Sequence, residues 1–177
     1  MAKKEEKVPS PEEIQSVVES FLVKHMTFKD IKKISDEEME AIYSVGYNFY
    51  RHGKYENARS IFSLLCKYDE YEPKYWIGLG AAQQMLKHYQ EAVSAYSFAV
   101  MLNPLDPKVH RYVTDCFLAL RDYERAQASL ESLILACENT KGLEEAKKEA
   151  ENLLEEIKKR TAADKKDTSK KKKEGKK

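Results

Sequence analysis

Apolar residues recur at helical spacing along most of this chain, and through its middle they recur again with a longer period. Tyr55, Tyr89 and Tyr123 stand 34 residues apart, and so do Ala58, Ala92 and Ala126. The same interval links Phe62, Tyr96 and Leu130, then Leu65, Ala99 and Leu133. A second set occupies the other half of each unit: Ile42, Trp76 and His110, then Val45, Leu79 and Val113, then Gly46, Gly80 and Thr114. A chance match would fill one or two columns, not seven in phase. Each unit reads as a helical hairpin. Its first helix carries a large, an aliphatic and a small residue, and its second opens at the repeating Tyr.

A 34-residue period with a large residue, Leu-Gly, Tyr, Ala, an aromatic and Pro is the tetratricopeptide pattern. The expected fold is therefore all-α: a stack of three hairpins at about 39–72, 73–106 and 107–140, within 35–140. Unit two, with Trp76, Leu79, Gly80, Tyr89, Ala92, Tyr96, Ala99 and Pro104, fits best; unit three, with His110 and Thr114, fits least. Residues 1–34 read as an N-terminal helical extension. Ser10-Pro11-Glu12-Glu13 is a helix start, and Ile14, Val17, Val18, Phe21 and Leu22 form an apolar stripe behind it. Ser35-Asp36-Glu37-Glu38 repeats the start signal before unit one. After unit three, Leu143, Ala146, Ala150, Leu153, Leu154 and Ile157 mark one face of a capping helix over 141–160, the polar-backed terminator that a repeat stack needs. Residues 161–177 carry too little apolar area to offset ordering entropy and are expected to be a disordered Lys-rich tail.

Composition adds one feature. Lys+Arg 31 against Asp+Glu 30 gives a net charge of +1 over 177 residues. Residues 158–177 hold ten Lys and one Arg against three acids, so the rest of the chain carries −7. An acidic body argues against nucleic-acid binding. No apolar run approaches the roughly 20 residues of a membrane span, so no stable insertion is expected. Three widely spaced cysteines, Cys66, Cys116 and Cys137, fit small core residues in a reducing cytoplasm.

Catalytic chemistry is not readable. Gly78-Leu79-Gly80 lacks the third glycine of a dinucleotide fingerprint and lies inside a predicted helix. The four histidines form no i,i+4 zinc pair with a carboxylate base. No Ser or Cys sits in a nucleophile motif. The chain reads as a binding protein with no catalytic residue, metal site or cofactor.

A hairpin stack curves and presents a concave face lined by the first helices. Between the packing columns of unit one lie Tyr43, Tyr47 and Tyr50, at i, i+4 and i+7. In unit two the equivalent positions are Ile77, Ala81 and Gln84, and in unit three Arg111, Asp115 and Leu118. Tyrosine offers large area and a polar tip at low entropic cost, which suits gripping a peptide. These residues, Leu118 apart, are the candidate partner-binding set. The other reading has the tyrosines packed beneath the helix at 11–24 or the segment at 28–34. The N-terminal stripe likewise has two destinations, the chain's own repeats or a second copy.

Ile42-Tyr43-Ser44-Val45-Gly46-Tyr47-Asn48-Phe49-Tyr50, with Gly53-Lys54-Tyr55-Glu56-Asn57-Ala58 and Phe62-Ser63-Leu64-Leu65-Cys66, resembles the class II chaperones of bacterial type III secretion, the SycD/LcrH family. Tyr75-Trp76-Ile77-Gly78-Leu79-Gly80-Ala81 and Gln84 continue the likeness, which runs from about Ser35 to Ile134. The resemblance implies a cytoplasmic bacterial chaperone whose partners are the hydrophobic translocators of the secretion pore. It would hold an extended translocator segment in its groove and keep it soluble and export-competent. It places the groove aromatics on Tyr43, Tyr47 and Tyr50 and the second wall on Ile77, Ala81 and Gln84. It also implies a homodimer through Ile14, Val17, Val18 and Phe21. The chain departs from the family at Arg111, where an aromatic is common, and in its lysine tail. The alternative function is a general tetratricopeptide scaffold unrelated to secretion.

Overall fold

The computed structural model describes residues 10, 12, 13, 15–17, 19 and 26–174. Ser10 opens the chain's first helical stretch: its N–H donates to Glu13 Oε2 at 2.7 Å and its Oγ accepts from the Glu13 N–H at 3.2 Å. The described residues from 12 to 19 are helical. Then follow α1 (Phe28–Lys32), α2 (Asp36–Arg51), α3 (Tyr55–Tyr68), α4 (Pro73–Met85), α5 (Tyr89–Leu102), α6 (Pro107–Ala119), α7 (Tyr123–Glu138) and α8 (Glu144–Glu174). No strand occurs among the described residues.

The starts are chemically specified. Ser35 and Glu38 cap α2 reciprocally, and Thr27 and Asp30 do the same for α1. Pro73 and Pro107 open α4 and α6, each preceded by an acid, Glu72 or Asp106, that accepts the N–H two residues on. A missing N–H costs nothing in the first turn, so proline is tolerated there. The hairpin turns repeat as well. Gly53, Lys87 and Arg121, again 34 apart, all take positive φ, at 73°, 64° and 57°. Only the first turn uses the residue that enters this region without strain.

Helices α2/α3, α4/α5 and α6/α7 form three hairpins, each packed on the next, and α8 closes the stack against α7. The core is in two parts. One gathers Met39, Ala58, Phe62, Leu65, Cys66, Tyr75 and Ala82. The other runs from Ala92 and Tyr96 through Val109, Cys116, Leu130 and Leu133 to Ala150, Leu154 and Ile157 of α8. Full burial of a Leu or Ile contributes about 1.5–3 kcal/mol, so the α8 stripe holds the cap without a covalent tie. Thr161 adds a polar latch, accepting from Gln127 Nε2 at 2.9 Å.

The small column is matched to what faces it. A Cβ on Gly80 would meet the Tyr96 ring at 2.6 Å, and one on Gly46 would meet Phe62 at 3.1 Å. Unit three has Leu130 at the aromatic position, and there Thr114 fits, with its Oγ1 bonded to Ser129 Oγ and the His110 carbonyl. His110 keeps its place in the large column through a 2.7 Å hydrogen bond from ring Nε2 to the Pro104 carbonyl.

Two expectations differ from the structure. Val45 belongs to a packing column but is 46% exposed. Leu79 and Val113 in the same column belong to core clusters shared with the preceding unit, and among the described residues no hairpin precedes unit one. Helix α8 also runs on to Glu174, where a disordered tail was expected from residue 161. Lys, Ala and Glu are good helix formers, and extending an existing helix needs no new nucleus.

Candidate functional site

The concave face carries a cavity of about 330 Å³ between the first helices of the three units. Helix α2 contributes Tyr43, Tyr47 and Tyr50; α4 contributes Ile77, Gly78, Ala81, Gln84 and Met85; α6 contributes Tyr112 and Asp115. Phe62 and Tyr96 reach it from α3 and α5 and form its floor. They pass between the first helices because Gly78 and Gly80 leave room: a Cβ on Gly78 would lie 2.7 Å from the Phe62 ring.

The tyrosines have distinct settings. Tyr47 is 48% exposed and stacks on Tyr43, with ring centroids 6.4 Å apart and planes at 10°. Tyr43 also leans on Phe62 and Tyr75, at 5.6 and 6.0 Å. Tyr50 meets Tyr55 edge-on at 5.5 Å. Desolvation pushes the hydroxyls of Tyr43, Tyr50 and Tyr96 above their usual range, so they stay neutral. Tyr96 donates to Gln84 Oε1 at 2.9 Å, which fixes that side chain in the groove wall. At one rim Lys74 pairs with Glu40 at 2.7 Å and lies over the rings of Tyr43 and Tyr75.

Seven of the eight sequence-derived positions line this cavity: Tyr43, Tyr47, Tyr50, Ile77, Ala81, Gln84 and Asp115. Arg111 does not. It is half-exposed at the edge of α6, 3.7 Å from both Asp115 and Glu149. Leu118 instead packs on the core. Tyr112 takes the lining place beside Asp115, because α6 is rotated so that positions 112 and 115 share the groove face. Tyr112, Met85, Gly78, Phe62 and Tyr96 also line the cavity and fall outside the sequence-derived set. For Phe62 and Tyr96 the signal was present, since a large ring paired in register with glycine must cross the first-helix layer.

Helix α1 does not cover the tyrosines. Phe28 meets Tyr68 edge-on at 5.9 Å, and Lys29 bridges Asp36 and Asp69 at 2.8 and 3.2 Å. Of the stripe assigned to dimerisation, Val17 is helical and 43% exposed. Ile14, Val18 and Phe21 lie outside the described residues. Among those residues no cluster of His, Cys, Asp and Glu could hold a metal ion, and no helix is long and apolar enough to cross a membrane.

The tetratricopeptide repeat family matches residues 39–72 and 73–106. Low calcium response locus protein H of Yersinia pestis is 32% identical over 119 residues, which cover 67% of this chain and 71% of that protein. The chain belongs to the class II type III secretion chaperones, the SycD/LcrH family. Solved structures of secretion proteins share the fold of this family member. A type III secretion complex from Aeromonas hydrophila superposes with a TM-score of 0.77 at 30% identity, covering 83% of this chain and 98% of that one. The Yersinia enterocolitica chaperone SycD, solved with a peptide of the translocator YopD, gives 0.67 at 29% identity over 72% and 98% of the two chains.

Proposed function

We propose that this chain holds an extended apolar segment of a type III translocator in the groove between α2, α4 and α6, and keeps that client soluble until export. The observation that carries the reading is the solvent-open tyrosine row of α2 facing Ile77, Ala81 and Gln84 across a cavity of about 330 Å³. Packing requires the columns; it does not require Tyr47 at the surface. The SycD complex with a YopD peptide supports the same reading. Membership in a secretion-chaperone family favours it over a general scaffold. The role is one of binding without catalysis, carried out in the bacterial cytoplasm. In the same proposal Ile14, Val17, Val18 and Phe21 pair two copies, and the basic residues beyond 160 are dispensable for gripping the client.

Affinity purification of the tagged chain from its native bacterium, with mass spectrometry of bound proteins, tests the proposal. The expected catch is a secreted protein with apolar membrane-inserting segments, lost when Ala81→Trp fills the groove. A catch of other proteins, unchanged by Ala81→Trp, would overturn it.

A further inference from the structure

Among the described residues that line the cavity, Asp115 is the one charged side chain. It stands at the unit-three end, beside Tyr112, with the aromatic floor and the tyrosine row to one side. Its carboxylate is weakly compensated. Arg111 Nε approaches only to 3.7 Å, and the same guanidinium reaches Glu149 of α8 at 3.7 Å. Burial pushes the Asp115 carboxyl up from its ordinary value, against the opposing pull of Arg111. A half-exposed carboxylate that burial partly desolvates, with a loose partner, gains from a closer cation. Glu149 gives Arg111 a second place to rest, so displacing it from Asp115 strands no charge.

We propose that Asp115 is a specificity-determining residue that selects clients carrying a Lys or Arg at the unit-three end of the apolar segment. The aliphatic stem of that residue lies along Tyr112 and Tyr50, and its head meets the Asp115 carboxylate. Long basic side chains bury their stems and keep the charge at a polar rim in this way, and tyrosine faces attract the cation. The partner class is thus an extended segment that is apolar over the tyrosine row and basic at one end. An acidic residue at that end is disfavoured. This inference rests on the groove reading given above.

The test uses the full chain and fluorescence anisotropy. The probes are labelled ten-residue peptides of Leu, Val and Ala, capped at both ends, with a single Lys moved through each position and Gln or Glu as the matched alternative. At one position Lys binds about fivefold more tightly than Gln, the scale of a partly buried ion pair. Asp115→Asn brings the two peptides to equal affinity, and Asp115→Lys turns the preference towards Glu. Peptides that bind in a Tyr47-dependent way with no Lys preference, or with one that survives Asp115→Asn, would overturn the inference and leave the groove reading standing. Failure of every peptide to bind would overturn both.

Discussion

Gly78→Ala pits two known magnitudes against each other. Replacing a helix-interior glycine by alanine ordinarily stabilises by about 0.8–1.0 kcal/mol. Here the new methyl would lie 2.7 Å from Phe62 Cδ1 and Cε1 and 2.9 Å from Cγ, well inside the roughly 3.5–4.0 Å of a good carbon contact. The ring cannot retreat. It is 2% exposed, Gly46 backs it closely on α2, and Tyr43 leans on it at 5.6 Å. Overpacking of this kind costs about 1–3 kcal/mol, which cancels or exceeds the propensity gain and leaves a net loss of about 0–2 kcal/mol. Phe62 is also the groove floor, so peptide affinity falls with stability. Urea unfolding followed by circular dichroism, paired with peptide anisotropy on the folded variant, reads both. A Gly78→Ala protein more stable than wild type by about 1 kcal/mol would mean that propensity prevails, and that the ring does not cross the first-helix layer at this point.

The left-handed turns predict the opposite sign: Lys87→Gly and Arg121→Gly each stabilise by roughly 0.5–1 kcal/mol by removing αL strain, visible as a higher urea midpoint, and a drop would refute the strain argument. Tyr47→Ala lowers client-segment affinity by about 1–3 kcal/mol with little change in melting, whereas Ala58→Leu, at a position with no exposed surface, melts the hairpin; calorimetry on the pair separates groove from core. Burial pushes the Cys66 and Cys116 thiols up to about 12, so at pH 8 both remain protonated and unlabelled by Ellman's reagent in native protein, and both react within minutes in urea.

Much of this architecture was legible because a repeat reports each contact three times. The Tyr, Ala and Gly columns located every hairpin, since a helix pair buries the same positions wherever it recurs. Reading failed where repetition or symmetry fails. Val45 obeys its column in sequence, but among the described residues no preceding unit covers it. Arg111 and Tyr112 differ by one position, about 100° around a helix, and only the packed orientation of α6 decides which faces the groove. Phe62 and Tyr96 are core residues, 2% and 1% exposed, yet glycine at the facing positions lets one side of each ring serve as cavity floor. The helix beyond residue 160 was hidden because composition reports the absence of a core, not the continuation of a helix already formed.

In the proposed function the concave face, and not the rest of the surface, holds the client. Site-specific photo-crosslinking in the producing bacterium addresses it most directly. A benzophenone amino acid at Ala81 sits in the groove wall; one at Leu64, 40% exposed on α3 and outside the cavity, samples another face. A covalent adduct with an apolar translocator segment is expected from position 81 and none from position 64. An adduct from position 64 with none from position 81 would contradict it.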